Sequence, residues 1–382
     1  MAGRKSATIT VKGRRGTRRE FLGVLGGVGA GLAAGVLGRN ASQAAPKPTV
    51  AHAPAVVSSG AKQIVVSVWG GVSEEGMRKA VSPVFEKKYN ATVAYDIGGG
   101  APRFSKIRAQ ASNPQVTVFL NSDILIYAAT TEGLLAPLNP TNIPNLRNLY
   151  EWARPKEFGS DAVGFTVIAA GLTVAKNKVK VPVTSWKDLW RDEFKGKLAF
   201  YSPSTTTAME LLIIASELHG GNQNNIEPGL KALAELRPIK LVTFWTDYAS
   251  LLKSGEVVVA TELDYYTLFM QREGYDVSFV VPREKAIGQV SAAGVVKGGP
   301  NQELGEAYID TLLDPGVQSG LAREAFNPPT NKLVKLDHPL SELVMYGSRL
   351  EKSRWFDLKA IVKNRDQWTE RLNTEVVPKW RL

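Results

Sequence analysis

The chain has 382 residues, no cysteine and a formal net charge of +11. Its length exceeds one ordinary core and predicts two lobes, and the absent thiols exclude a disulfide framework, a thiolate metal site and a lipid-anchored cysteine. The charge does not argue for nucleic acid: residues 1–44 hold eight basic residues against the one acid Glu20, so taking that net +7 from +11 leaves +4, with no later block of like charge.

The basic N-terminus has its own explanation. Thr17-Arg18-Arg19-Glu20-Phe21-Leu22 matches the twin-arginine export pattern, and a Gly/Ala-rich apolar run follows over residues 22–37. That run is short and dilute for a membrane span. With Arg39 and a small-residue cleavage site ending at Ala44, residues 1–44 read as a signal peptide that sends a folded protein to the periplasm. Residues 45–62, rich in Ala, Pro, Ser and Val, read as a flexible leader.

From residue 63 strands and helices alternate. Residues 63–69 are nearly all apolar, as in a strand buried on both faces. Gly70-Gly71 ends it. Ser73 is placed to cap a helix with Glu74 and Glu75 in its first turn, and Met77, Ala80, Val81, Val84, Phe85 and Tyr89 give that helix an apolar face. Residues 91–97 form a second strand, 103–111 a helix and 116–120 a third strand; Asn121-Ser122-Asp123 then leads a helix to Glu132. Open α/β sheets bind ligands at the carboxyl ends of their strands, where Trp69-Gly70-Gly71 and Asn121-Ser122-Asp123 both fall. Gly98-Gly99-Gly100 lacks the spacing of a dinucleotide loop, and no phosphate-binding P-loop is present.

Residues 163–176 read as a strand passing between lobes, and 186–190 as a short helix. Residues 198–201 form a strand broken by Ser202-Pro203. Ser204, Thr205, Thr206 and Thr207 then open a helix whose apolar residues are Leu211, Leu212, Ile214, Ala215 and Leu218. Hydroxyls at a helix start satisfy orphan N–H groups, and the same start attracts anions; capping and ligand contact both stay open. Residues 241–244 read as a strand ending at Trp245, 249–253 as a helix and 257–262 as a strand. If that strand runs on, Glu262 and Asp264 share one side. Asp264-Tyr265-Tyr266 begins another helix. Residues 277–281 form a strand and 292–296 a second crossing, and residues 301–382 are mainly helical, broken at Asp314-Pro315 and Asn327-Pro328-Pro329.

Several segments, in order, resemble those of the periplasmic substrate-binding proteins of ABC importers, in the group that holds polyamine and ferric-iron binders. They are Val68-Trp69-Gly70-Gly71, the run from Glu132 to Leu138, the run from Thr184 to Leu189, Phe194-Lys195-Gly196-Lys197, Ser254-Gly255-Glu256-Val257, Val281-Pro282-Arg283-Glu284 and Asp314-Pro315-Gly316-Val317-Gln318. The likeness spans residues 63 to 332. It implies an α/β, two-lobe, type II periplasmic-binding-protein fold, with mixed sheets, helices on both faces and a ligand cleft between lobes. Residues 63–168 and 297–382 would form one lobe and 169–296 the other. It further implies a monomer without enzymatic activity or cofactor, a small-molecule solute trapped by hinge closure, and ABC permease and ATPase subunits at the inner membrane as partners.

The departures from that group carry chemical information. Polyamine binders carry an acidic pair near the helix start that corresponds to Ser204–Thr207, and another carboxylate near Ser291; this chain has hydroxyls there. A buried ammonium needs paired charge. Hydroxyls and free N–H groups suit instead a carboxylate, a phosphonate or an amino-acid-like zwitterion. Tyr265-Tyr266 matches the tyrosine pair of the ferric-iron binders, whose phenolates are hard donors for Fe(III), although their accompanying His would fall near Ser73. Iron held by Tyr265 and Tyr266, and a polyamine paired by Glu262 and Asp264, are the alternatives. The candidate ligand-binding residues are Trp69, Gly70, Gly71, Ser122, Asp123, Ser204, Thr205, Thr206, Trp245, Glu262, Asp264 and Tyr265, with the rings as stacking platforms. For catalysis the sequence offers no motif: His52, His219 and His338 fall in the leader, a helix end and a turn, and no Ser/His/Asp or HExxH spacing occurs.

Overall fold

Short β-branched runs alternating with amphipathic segments dictate strands joined by helical crossovers, and a computed structural model shows them over residues 62–243 and 245–380. The export signal, and the leader up to residue 61, lie outside the described residues. Strand β1 (Lys62–Val68) leads through Trp69-Gly70-Gly71 into one long helical run, made of α1 (Val72–Gly76), a π turn (Met77–Val81) and α2 (Ser82–Tyr89). Gly71 has φ 70° and ψ −134°, a conformation open to glycine and costly for any residue with a Cβ. Ser73 makes no capping bond; it is the second residue of α1 and is buried. Then come β2 (Ala91–Ile97), α3 (Gly100–Ala109), β3 (Val118–Ser122), α4 (Asp123–Thr131), β4 (Leu135–Ala136) and β5 (Val163–Ala175). Asn121 and Ser122 belong to β3, so strand passes straight into helix with no intervening loop.

The next units are β6 (Leu198–Tyr201), α5 (Thr206–Leu218), α6 (Glu227–Glu235) and β7 (Pro238–Val242), then α7 (Trp245–Ser254), β8 (Val259–Leu263), α8 (Asp264–Arg272), β9 (Val277–Val280) and β10 (Ala286–Val296). Trp245, expected at a strand end, opens α7 instead. The second crossing starts at Ala286 rather than at residue 292, because Gly288 and Gln289 hide the apolar run in the sequence. The chain finishes with α9 (Gln302–Leu312), α10 (Pro315–Ala325), α11 (Leu340–Leu343), β11 (Ser353–Arg354), α12 (Leu358–Arg371), a π turn (Leu372–Val376) and α13 (Val377–Trp380).

The strands join in one sheet whose main path runs β2-β1-β3-β10-β5-β8-β6-β7. At one end β1 pairs in parallel with β2 and β3, and at the other β6 pairs in parallel with β7 and β8. The long antiparallel pair β5 and β10 joins the two ends, with every residue of both strands buried. One core packs Ile64, Val66 and Leu120 against Phe85, Tyr308 and Leu312 of the surrounding helices; a second packs Leu198, Phe200 and Val259 against Met209, Leu212, Leu230 and Leu233. The C-terminal helices, expected with residues 63–168, join this second core through Ile361, Trp368, Leu372 and Val376. The Trp380 indole donates to the Leu233 carbonyl at 2.6 Å, and Arg371 pairs with Glu227. Among the described residues no helix is long and apolar enough to cross a membrane.

Candidate ligand-binding site

The carboxyl ends of the parallel strands and the middle of β5 and β10 enclose a cavity of about 300 Å³, sized for a small molecule. Strand register builds its floor. Ser122 on β3 lies opposite Ser291 on β10, which lies opposite Thr166 on β5; one step on, Gln289 lies opposite Ile168. All five line the cavity, as residues two apart on a strand must when they share a face. Pairing then jumps from Ser291–Thr166 to Ala292–Gly164, and the extra residue, Phe165, is turned to the cavity as well.

Helix starts build the rim. Gly99 and Gly100 at α3, Ser122 before α4, Thr205 before α5, Thr246 in α7 and Leu263 before α8 all line the cavity. The hydroxyls of α5 divide their labour. Thr205 caps the helix, accepting from the Ala208 N–H at 3.3 Å and donating to the Ser202 carbonyl at 2.8 Å. Thr206 is left to reach Ser122, oxygen to oxygen at 3.0 Å, so this bond ties α5 to β3 across the cavity. Free N–H groups and aligned dipoles make such a rim electropositive.

Among the described residues no Asp, Glu, Lys or Arg lines the cavity. The acids expected there are turned elsewhere, each for a structural reason. Asp123 opens α4 and accepts from its own helix at Ile124 N (2.8 Å) and from β10 at Val290 N (3.0 Å); it faces a separate cavity of about 550 Å³, shared with Glu210. Asp264 does the same for α8 and β5, accepting from Tyr265 N (2.9 Å) and Ala169 N (3.1 Å). Because β8 ends at Leu263, the alternation that would have aligned Asp264 with Glu262 stops one residue short. Glu262 lies fully buried outside the lining, where the Tyr201 hydroxyl donates to it at 2.8 Å. Burial pushes the carboxyls of Asp123, Asp264 and Glu262 up to about 6, 7 and 8, so they put less negative charge near the cavity than free acids would.

Trp69, Gly70, Gly71, Ser122, Ser204, Thr205, Thr206 and Tyr265 of the expected set line the cavity together. The Trp245 side chain lies outside the described residues. The Tyr265 and Tyr266 rings lie tilted by 33° with their centres 4.0 Å apart, their hydroxyls bonded to each other and to Ser73, and burial raises both phenols above their ordinary range. Sequence reasoning missed Gln289, Tyr201 and Asn327, while Asn121 lies, with Ser122, where the strand-end rule places ligand contacts. A lone polar residue in an apolar crossing strand was the available signal for Gln289; nothing local marked the others. The Gly98-Gly99-Gly100 loop, set aside as no dinucleotide fingerprint, lines the cavity and starts α3.

These features define a two-lobe, type II periplasmic-binding-protein fold with its cleft between the parallel ends of the sheet. A solved structure of an ABC transporter protein from Clostridium perfringens ATCC 13124 superposes with a TM-score of 0.67 at 24% identity, covering 82% of this chain and 99% of that one. Residues 117–347 match the family of bacterial extracellular solute-binding proteins, and the chain belongs to that family. It is 24% identical over 257 residues (64% of this chain, 71% of the relative) to a Salmonella typhimurium LT2 periplasmic protein described as binding 2-aminoethylphosphonate. It is also 24% identical over 269 residues, 66% of this chain and 73% of the relative, to spermidine/putrescine-binding periplasmic protein 1 of Haemophilus influenzae. The family is one of extracellular solute-binding proteins, and both of these relatives are periplasmic binding proteins.

Proposed function

We propose that this protein captures a small anionic or zwitterionic solute, an amino-acid-like carboxylate or phosphonate, by closing its cleft, and delivers it to an ABC permease and ATPase at the inner membrane. One observation carries the reading: a cavity ringed by helix N-termini and hydroxyls has, among the described residues, no charged side chain on its wall. The acid group sits at the start of α5 with Thr206 and Ser122, and the rest of the solute lies among Trp69, Tyr201, Tyr265 and Tyr266. The 2-aminoethylphosphonate of the Salmonella relative is a solute of this kind. The twin-arginine signal exports the folded chain, cleaved after Ala44, and the mature protein works as a monomer. Residues 63–168 together with 297–382, whose last helices also pack on the second core, and residues 169–296 are the moving lobes.

A polyamine, the ligand named for the Haemophilus relative, would put two or more ammonium groups into a cavity without a carboxylate on its wall. Iron would need phenolates from Tyr265 and Tyr266, and burial favours the protonated phenols.

The test is a thermal-shift panel on the protein from Ala45 onward, partly unfolded and refolded to strip carried-over solute. 2-Aminoethylphosphonate, 4-aminobutyrate or a dicarboxylate should raise the melting temperature by mass action, and a hundredfold excess over Kd adds about 2.7 kcal/mol. A shift with putrescine or spermidine alone would replace this reading with the polyamine one. A shift with Fe(III) citrate that Tyr265→Phe abolishes would replace it with iron.

A further inference from the structure

Arg103 is 3% exposed, sits in the first turns of α3 and is absent from the cavity lining, yet no carboxylate is bonded to it. Its Nε donates to the Gly98 carbonyl at 2.9 Å, and its Nη1 donates to the Leu120 carbonyl at 2.7 Å and to Ser67 Oγ at 3.3 Å. Nη2 is buried without a hydrogen-bond partner. The acid whose charge acts on it, Asp96, is already paired with Lys106 at 2.5 Å and accepts from Ser67. A buried cation whose charge is not cancelled is costly. It persists where something negative completes it.

Two contacts carry that charge to the cavity wall. The guanidinium lies 4.8 Å from the centre of the Trp69 ring, and Trp69 lines the cavity. A cation on one face of an indole satisfies the ring's negative quadrupole and repels a second cation beyond it. The bond to Gly98 fixes the direction of a peptide: in a trans unit the Gly99 N–H points opposite to the Gly98 carbonyl, hence away from the guanidinium, in a loop whose residues 98–101 line the cavity.

We propose that Arg103 is the specificity-determining residue of the cleft, buried behind Trp69 and the Gly98–Gly100 loop, where its positive charge selects acid-bearing solutes against diamines and holds the Gly99 N–H ready for the acid group. This deepens the reading of the cleft as an anion or zwitterion site and rests on it. Desolvation lowers the guanidinium pKa to about 9, so the charge is present at neutral pH.

The test compares the protein with Arg103→Met and Arg103→Lys, by calorimetric titration with 2-aminoethylphosphonate, 4-aminobutyrate and putrescine at constant ionic strength. Arg103→Met should fold, since replacing an uncompensated buried charge by an apolar chain of similar length is often neutral or better. It should lower the preference for the acids over putrescine by about tenfold or more, the scale of one partly screened charge. Arg103→Lys should keep much of that preference while losing affinity for every acid, because it retains the charge but not the Nε–H bond that orients Gly98. Equal weakening of all three solutes in Arg103→Met would make Arg103 a packing residue and overturn the inference. If Arg103→Met does not fold, an unchanged acid-to-diamine ratio in Arg103→Lys together with unchanged acid affinity would overturn it. Wild-type protein that binds putrescine best, or none of the three and no dicarboxylate, would overturn the reading of the cleft, and this inference with it.

Discussion

Glu262 shows how far one buried group can shape behaviour. It is 0% exposed, and burial drives its carboxyl up to about 8 even though the Tyr201 hydroxyl and the Leu263 N–H both donate to Oε1 at 2.8 Å. Oε2 has no partner. The folded state therefore keeps a proton that an unfolded glutamate releases above about pH 4.3. With the folded value the higher one, stability is full below that pH, declines as the pH rises toward 8 and levels off beyond. Glu262→Gln, which keeps the shape without the charge, should melt like wild type at pH 4.5 and several degrees higher at pH 8.5. Scanning calorimetry at both pH values checks this; a variant that melts lower at both would mean the Oε1 contacts outweigh the desolvation. The same residue marks where the sequence misleads. Read as a strand continuing to Asp264, its segment offers two acids to the cleft; in the fold the strand stops at Leu263 and α8 begins at once, so neither acid reaches the wall.

Asp123 and Asp264 occupy matching places at the first residue of α4 and of α8, and each fastens its helix to a joining strand, β10 or β5. Their bonding differs in a way that makes opposite predictions. Asp123 uses both oxygens, one on Ile124 and one on Val290, so Asp123→Asn must give up one buried acceptor and should cost about 1–3 kcal/mol. Asp264 takes both its bonds on Oδ1 and leaves Oδ2 buried and unpaired. Asp264→Asn should be neutral or stabilising at pH 7.5, where a carboxyl raised to about 7 is largely charged. Urea unfolding of the two variants side by side distinguishes them; equal losses would show that the unpaired oxygen carries no penalty. At this scale much was legible, because elements declare themselves by local period: β2 and β6 run as read, and Ser204–Thr207 does open a helix at the cleft. Register was not legible. The row Ser122–Ser291–Thr166, and the jump that turns Phe165 inward, arise from pairing between residues 125 to 169 positions apart, and no local pattern encodes such a match.

At the scale of the molecule the C-terminal helices belong to more than one neighbourhood. Ile361 and Trp368 join the core under α5 and α6, while Leu358 and Val362 also pack against the core around Phe119 and Ile126. Trp368→Ala should accordingly cost about 3–5 kcal/mol, as measured by denaturant midpoint, a loss too large for a loosely docked tail. A small contact spans the cleft. Ser122 follows the β1–β3 end of the sheet, Thr206 follows the β6–β8 end, and their hydroxyls meet at 3.0 Å. A hydrogen bond between neutral hydroxyls is worth about 0.5–1.5 kcal/mol net. Thr206→Val keeps the volume and removes the bond, so it should weaken whichever acid shifts the wild-type melting temperature most by roughly two- to tenfold. With the cleft closing on its solute as proposed, the contact forms only after encounter, so the loss should fall on the dissociation rate. Stopped-flow fluorescence would separate the two rates: faster release at unchanged capture identifies Ser122–Thr206 as a latch of the closed cleft, whereas slower capture at unchanged release would place Thr206 in the encounter with the solute.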